Sequence, residues 1–181
     1  GIQEEWAVSA RVSGASVQRA SKGRTRVDYA IEVSIRLFTL DHDTQHVTAR
    51  GGHVRGYEDT VNVTLQQLAT PQFDFSIARR YNRFATLHSQ LVDENPGCPG
   101  MPSLPSRRGA LLSSTPEPDF VALRMTKLDR YLWSVMAHPL LARSPALFDF
   151  LELNASLQLL APGIFSAEAK RRVVMRPFGR Q

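Results

Sequence analysis

Arginines and a tyrosine cluster in the run Arg79-Arg80-Tyr81-Asn82-Arg83-Phe84. The planar guanidinium of arginine can bind two phosphate oxygens at once. A tyrosine ring can cover an apolar ligand face while its hydroxyl stays hydrated. This combination is therefore suited to binding a phosphorylated anion. A solvated basic corner is the simpler interpretation, and the local pattern taken alone favours it.

The flanking patterns predict which elements position this run. Phe73, Phe75 and Ile77 alternate with polar or small residues, which is typical of a half-buried strand. Downstream, an apolar stripe with helical spacing consists of Phe84, Leu87, Leu91 and Val92. The arginines therefore stand at a strand end and a helix start, where free N–H groups and a partial positive charge favour an anion.

Two earlier strands are predicted from alternating apolar residues, one from Trp6 to Val12 and one from Val27 to Leu37. Between them, the polar segment from Gly14 to Arg26 is interpreted as a basic connecting loop. Residues 41–72 form a long connection whose pattern fits a strand and a short helix equally well. Its histidines have no cysteine or carboxylate partners with zinc-site spacing, so no metal site is predicted there.

A second long helix is predicted to begin between Thr115 and Asp119. Its buried stripe is formed by Val121, Met125, Leu128, Leu132 and Val135, and Arg124, Lys127 and Arg130 lie off that stripe. Ser144-Pro145 predicts the start of a last helix, as an N-cap followed by a first-turn proline. Residues 154–181 are predicted to be a basic extension that packs on the domain, forms a linker, or binds a membrane or partner.

The composition fits one globular domain with a tail. The chain has 181 residues, 43% hydrophobic content and one cysteine, Cys98, which fits a reducing compartment. No apolar run approaches a membrane span, and the start, Gly1-Ile2, suggests a piece of a longer protein. The net charge of +5 and the sequence pI of about 9.9 suggest an acidic partner: nucleic acid, anionic membrane or acidic protein.

Four segments, in order, resemble phox-homology (PX) domains of the sorting-nexin type. The first is Arg79-Arg80-Tyr81-x-x-Phe84, and the second is the proline-rich loop from Met101 to Arg107. The third is Arg124-x-x-x-Leu128-x-x-Tyr131-Leu132. The fourth combines His138-Pro139-Leu140-Leu141 with Leu147-Phe148-x-Phe150-Leu151. Together they cover residues 5–153, interrupted by the insertion at 41–72.

The resemblance implies an α+β fold. The expected architecture is a three-stranded antiparallel sheet packed against three to four helices with a proline-rich loop. It also implies a PX-like phosphoinositide-binding domain at residues 5–153, followed by the C-terminal basic extension at 154–181. The expected ligand is phosphatidylinositol 3-phosphate, bound in a pocket between sheet and helices on endosomal or vacuolar membranes that face the cytoplasm.

The resemblance to PX domains implies a role for each of the site residues. Arg80 matches the arginine that holds the 3-phosphate, and Tyr81 the aromatic that packs on the inositol ring. Arg107 stands where the family usually has a lysine that meets the 1-phosphate. Arg108 is expected to assist Arg107 as an auxiliary residue, and Arg79 is expected to assist Arg80. Arg124 matches the arginine that binds the 4- and 5-hydroxyls. Leu111 and Leu112 follow the loop arginines and are expected to insert into the membrane.

Other function classes have weaker signals. The form Pro102-x-x-Pro105-x-Arg107 fits a polyproline ligand for a Src-homology-3 domain, so the loop or the insertion offers a protein-scaffold alternative. No nucleophile motif, metal spacing or Gly-rich phosphate loop is present, so neither an enzyme nor a cofactor is expected. Nucleic-acid binding rests on charge alone, without a base-stacking motif, and is not expected.

Overall fold

The computed structural model describes residues 2–19, 25–41, 72–107, 117–160 and 173–177. These residues form an α+β fold in which a twisted sheet packs against a helical layer. The elements in chain order are β1 (Ile2–Arg19), β2 (Thr25–Asp41), β3 (Gln72–Arg79), α1 (Tyr81–Glu94), α2 (Pro118–Ala137), a 3₁₀ turn (Leu141–Arg143), α3 (Pro145–Phe150), α4 (Leu153–Leu160) and β4 (Val173–Met175).

The sheet has four strands in the order β3-β2-β1-β4, so the expectation of three strands was wrong. The first three strands pair antiparallel, as predicted. The fourth comes from the C-terminal extension and pairs parallel with β1, opposite Trp6 to Val8. A three-residue strand carries almost no periodic signal, and its pairing depends on a partner more than 160 positions away, so the sequence pattern could not reveal it.

The β1–β2 hairpin is longer than its apolar pattern indicated. Its ladder continues from Val12 to Arg19, so half of the predicted basic loop is strand. The register shifts between Val12 and Gly14, as in a β-bulge. The backbone N–H of Val12 donates to Asp129 Oδ1 on α2 at 2.8 Å, so the helix supplies the acceptor at this irregular position. Beyond the bulge, the β1 side chains from Ala15 to Arg19 are exposed, so this part of β1 is held mainly by its ladder hydrogen bonds to β2.

The core lies between the inner face of the sheet and the helices. Tyr29, Ile31, Val33 and Ile35 alternate along β2 and are buried, as the strand pattern predicted. From the helical layer, α1 contributes Phe84, Leu87 and Leu91. Val92, which the sequence assigned to the same stripe, is 41% exposed because the helix turns it away from the sheet. The core thus holds α1 one residue after the end of β3.

The second long helix begins at Pro118 with Glu117 as its N-cap, inside the predicted interval. Its buried face includes the predicted Val121, Leu128, Leu132 and Val135, whereas Met125 is only half-buried. Arg124 is also buried, so the prediction that it lies off the stripe was wrong. Its burial is possible because the surrounding structure supplies partners for the guanidinium.

The last helices close the domain. Ser144 caps α3 by accepting a hydrogen bond from the Ala146 amide at 3.1 Å, and Pro145 occupies the first turn, as predicted. Within the described residues, no helix is both long and apolar enough to cross a membrane. The insertion at 41–72, including His42, His46 and His53, lies outside the described residues apart from its end points.

Candidate functional site

The site begins at Arg80, the single residue between β3 and α1. Its backbone is extended, with φ −80° and ψ 161°, and its carbonyl accepts a hydrogen bond from the Arg83 amide at 2.9 Å. The first turn of α1 contains no acidic residue, and no side chain caps it. Helix-start N–H groups and an arginine are therefore combined without a local carboxylate from the helix, which favours an anion at this position.

Arg79 and Arg80 have different surroundings. Arg79 donates through Nε and Nη2 to the Phe150 carbonyl at 3.0 and 2.9 Å, and its Nη2 lies 2.7 Å from Glu152 Oε1. The Arg79 side chain is 11% exposed, whereas that of Arg80 is 51% exposed. Arg79 therefore ties β3 to the end of α3, and Arg80 is the more accessible of the two guanidinium groups.

Tyr81 links the start of α1 to the proline-rich loop. Its hydroxyl donates to the Pro105 carbonyl at 2.5 Å. This bond holds the loop close to the strand–helix junction, so that Arg107, at the loop's described end, belongs to the same region. Pro102 and Pro105 are half-buried.

Arg124 joins these parts through its buried guanidinium. The Cζ atom lies 4.7 Å from the ring centroid of Tyr81 and 4.4 Å from that of Phe120, so two aromatic rings flank the cation. Its Nη2 donates to the carbonyls of Ser106 and Arg107 at 3.1 and 3.2 Å. Only 7% of the residue is exposed. Arg124 is thus both a cation at the site and the anchor of the loop.

The Tyr29 hydroxyl lies in the field of the same guanidinium. Burial raises the pKa of Tyr29 above its ordinary value, and the charge of Arg124 and its hydrogen bond oppose that rise. The phenol of Tyr29 is therefore neutral at the inner end of the site, and Arg124 has no carboxylate partner among the described residues. Within those residues, an anion entering this region meets no buried negative charge beside Arg124.

Arg107 lies at the surface of the loop. Its carbonyl accepts from Arg124, and its own side chain is exposed without a hydrogen bond or ion pair in the part of the chain that the structure describes. The auxiliary residue Arg108 and the two proposed membrane residues, Leu111 and Leu112, lie outside the described residues.

Arg80 also lines a cavity of about 400 Å³. It is lined by four arginines, one carboxylate and two small or polar residues: Arg26, Arg79, Arg80, Arg83, Asp28, Ala78 and Asn82. Asp28 is 7% exposed and pairs with Arg26 and Arg80. This group was not predicted from the sequence, because Arg26 falls in a polar segment that was interpreted as a loop. The usable signal was the two-residue spacing of Arg26 and Asp28, which places both on one face of a strand.

The arrangement is suited to binding a charged ligand. Within the described ranges, no group of three or more His, Cys, Asp or Glu side chains could hold a metal ion. Three of the predicted residues are joined by contacts: Tyr81 stacks on Arg124, which binds the Arg107 carbonyl. Arg80 precedes Tyr81 directly. Cationic groups, an aromatic ring and a helix start therefore converge on one region, as recognition of a phosphorylated polar ligand requires.

Comparisons with known proteins point to one family. A sequence model described as PX domain matches residues 68–154. Sorting nexin-4 of Aspergillus fumigatus is 35% identical over 91 residues, which is 48% of this chain and 18% of that protein. Sorting nexin-4 of Emericella nidulans is 34% identical over 95 residues, with the same two shares, 48% and 18%. The chain thus spans about a fifth of the length of these relatives.

Solved structures with a similar fold include a designed CISK-PX domain. Its TM-score is 0.49 at 18% identity, over 78% of this chain and 95% of that one. A second is the mouse SNX19 PX domain with bound sulphate ion, with a TM-score of 0.41 at 16% identity, over 84% of this chain and 97% of that one.

Proposed function

Since this chain contains a PX domain, we propose that it recognises phosphatidylinositol 3-phosphate and recruits its parent protein to endosomal or vacuolar membranes from the cytoplasmic side. PX domains generally bind phosphoinositides and target membranes. The preference for the 3-phosphate and the membrane concerned are the finer parts of the proposal. The observation that supports it most is the exposed Arg80 at a helix start, next to a tyrosine that stacks on a second arginine.

The proposed roles are those that the resemblance to PX domains implies, and the surroundings of each side chain are compatible with them. Arg80 has an exposed guanidinium and takes the 3-phosphate. Arg107, exposed on the loop, takes the 1-phosphate. Tyr81 packs against the inositol ring, whose C–H face is apolar. Arg124 donates through Nη2 to the loop carbonyls. Since a guanidinium has five N–H donors, its Nε and Nη1 groups are proposed to bind the 4- and 5-hydroxyls.

The membrane contact is proposed to come from the same loop. Leu111 and Leu112 follow the loop arginines and are proposed to enter the interfacial layer of the bilayer. Full burial of such a side chain is worth about 1.5–3 kcal/mol, so two partly buried leucines rival a headgroup contact. We expect the double variant Leu111→Ser, Leu112→Ser to keep its melting temperature and its affinity for soluble inositol 1,3-bisphosphate but to lose liposome binding. Parallel loss of stability and of both ligands would instead assign the leucines to the core.

The experiment for the proposed function is a lipid panel with Arg80→Ala. The domain should bind neutral liposomes that contain the 3-phosphate lipid and should not bind neutral liposomes without a 3-phosphoinositide. Binding to liposomes with the 3,4- or 3,5-bisphosphate should be weaker than binding to the 3-phosphate lipid. Arg80→Ala should abolish binding, because removal of one side of a buried charge contact costs about 2–5 kcal/mol. Its melting temperature should hold, since the side chain is half exposed.

A matched control is Arg83→Ala, which removes the same charge close to Arg80. The Arg83 side chain is exposed and has no hydrogen bond or ion pair within the described residues. It should bind far better than Arg80→Ala. Normal binding by Arg80→Ala, or a preference of the wild type for 4,5-bisphosphate, would contradict the site assignment.

The polyproline alternative is less favoured by the geometry. Both prolines of the motif are half-buried, and the loop carbonyls already accept hydrogen bonds from Tyr81 and Arg124. A polyproline ligand needs an exposed, extended backbone. We therefore propose a membrane-binding module rather than a polyproline ligand.

A further inference from the structure

Asp28 is a buried carboxylate beside the strand–helix junction. Its Oδ1 accepts a hydrogen bond from Arg26 Nε at 2.9 Å, and the same oxygen lies 3.7 Å from Arg80 Nε. The shorter distance is a charge-assisted hydrogen bond, whereas the longer one exceeds hydrogen-bond reach and leaves only an ion pair. Asp28 is therefore bonded to Arg26 and only approached by Arg80.

Arg26 and Arg80 have similar exposure and contact Asp28 through the same kind of atom. Both are about half exposed, at 45% for Arg26 and 51% for Arg80. In both, the contact to Asp28 uses Nε, and no contact of the terminal Nη groups is made within the described residues. If Arg80 turns its guanidinium to a phosphate, Arg26 still neutralises the buried carboxylate. Without Arg26, the same movement would leave Asp28 buried and unpaired, which is strongly unfavourable.

We propose that Arg26 is a positioning residue for the headgroup site: by bonding Asp28, it keeps this carboxylate from capturing Arg80. The inference rests on the proposed function, because Arg80 must have a phosphate to bind. It assigns no ligand contact to Arg26 itself. It explains why a buried acid can lie next to the principal phosphate-binding arginine without competing for it.

The test is a mutant cycle between Arg26 and Asp28, read by titration with soluble inositol 1,3-bisphosphate. Arg26→Ala should bind about tenfold more weakly, the scale of one charge-assisted hydrogen bond. Asp28→Asn should bind like the wild type, because a neutral amide needs no counter-ion. The double variant Arg26→Ala, Asp28→Asn should recover, since no carboxylate remains to capture Arg80. Melting temperatures accompany each titration, and Arg26→Gln replaces Arg26→Ala if the alanine variant does not fold.

Three outcomes overturn the inference. Unchanged affinity in Arg26→Ala shows that Asp28 does not capture Arg80. A loss that persists in the double variant shows that Arg26 contacts the ligand directly. An equal loss in Arg83→Ala, which lines the same cavity without touching Asp28, shows that only the local positive charge matters.

A second measurement separates this inference from the proposed function. Phenylglyoxal labels accessible arginines, and mass spectrometry reports the labelling rate of Arg80 without any lipid. Labelling of Arg80 should slow in Arg26→Ala and return in the double variant. Equal rates in all variants overturn the inference even if the wild type binds the headgroup. If the wild type binds no headgroup, the proposed function fails, and the labelling still decides whether Arg26 shields Arg80 from Asp28.

Discussion

Arg124 combines two demands in one side chain. It stacks between Tyr81 and Phe120, and it donates to two carbonyls of the proline-rich loop. A residue that only recognised a ligand would be expected to lie at the surface. This one is buried and shapes the loop that carries Arg107, so its substitution should affect stability as well as recognition.

We expect Arg124→Leu to lower the free energy of unfolding by roughly 1–3 kcal/mol, because two loop carbonyls lose their donor. It should also weaken binding of the 3-phosphate lipid more than binding of plain anionic liposomes. Urea unfolding and liposome sedimentation measure the two effects. Lys127→Leu is the control, since it removes one exposed charge from the same helix. Equal stability of the two variants would contradict the anchoring role.

The sequence could show which residue types stand near the junction but not their burial. The resemblance to PX domains, rather than local spacing, implied a phosphate site made of Arg80, Tyr81, Arg107 and Arg124, and the structure brings three of them into contact around the loop. A charged residue on a helix is expected to face solvent, because its burial requires partners supplied by distant segments. For the same reason, the contact of Asp28 with Arg80 could not be predicted, because Arg80 follows a different strand, whereas the spacing of Arg26 and Asp28 is local.

At the scale of elements, strands with an apolar face were predicted well, and strands held by the ladder alone were not. β2 has six alternating apolar residues, and the strand predicted from Val27 to Leu37 lies within its observed range, Thr25–Asp41. The outer half of β1 is exposed from Ala15 to Arg19, so it lacks the alternation that marks a half-buried strand. β4 is shorter still and depends entirely on its pairing with β1.

The short strand β4 leads to a prediction about the C-terminal extension. The Arg176 amide donates to the Val8 carbonyl at 2.7 Å, and its Nη2 lies 2.9 Å from Glu5 Oε1. Val173 and Met175 pack against the core from the sheet edge farthest from β3. A chain ending at residue 172 should therefore lose stability and keep its affinity for the headgroup.

We expect the loss to be about 1–3 kcal/mol, comparable to the burial of one aliphatic side chain. Urea unfolding measures it, and titration with soluble headgroup tests the affinity. A chain ending at residue 177 is the matched control, because it keeps β4 and Arg176. If both truncations had the same stability, the strand would add nothing; if the shorter chain lost headgroup affinity, the extension would belong to the site.

At the scale of the whole molecule, the sheet and helices form one core with the site at one corner. The sheet edge that carries β3 leads directly into α1, and α2 packs across β1 while its first turns reach the proline-rich loop. The basic character of the chain, with a net charge of +5, suits approach to an anionic membrane at long range. Under the proposed function, the contacts at this corner then determine which headgroup is bound.

The core itself should respond to alkaline pH through its buried tyrosines. Tyr131 is 2% exposed and its hydroxyl lies 3.2 Å from His88 Nδ1. Burial raises the pKa of Tyr131 well above the ordinary 10.0, and burial also raises the pKa of Tyr29. Below about pH 10, both tyrosines are neutral in the folded and unfolded chain, so their stabilising contribution is fully present.

Above about pH 10, the unfolded chain releases these protons while the folded chain retains them. The free energy of unfolding should therefore fall as pH rises from 10 toward the folded-state pKa values. In Tyr131→Phe this fall should be shallower, by up to about 1.4 kcal/mol per pH unit, because one titrating group is removed. Urea unfolding at several pH values between 8 and 11.5 measures the slopes. The difference between the proteins at pH 8 serves as the control, since it reports only the lost contact with His88. Identical slopes would mean that the Tyr131 hydroxyl ionises as readily in the folded chain as in the unfolded chain. That result would contradict the proposed effect of its burial.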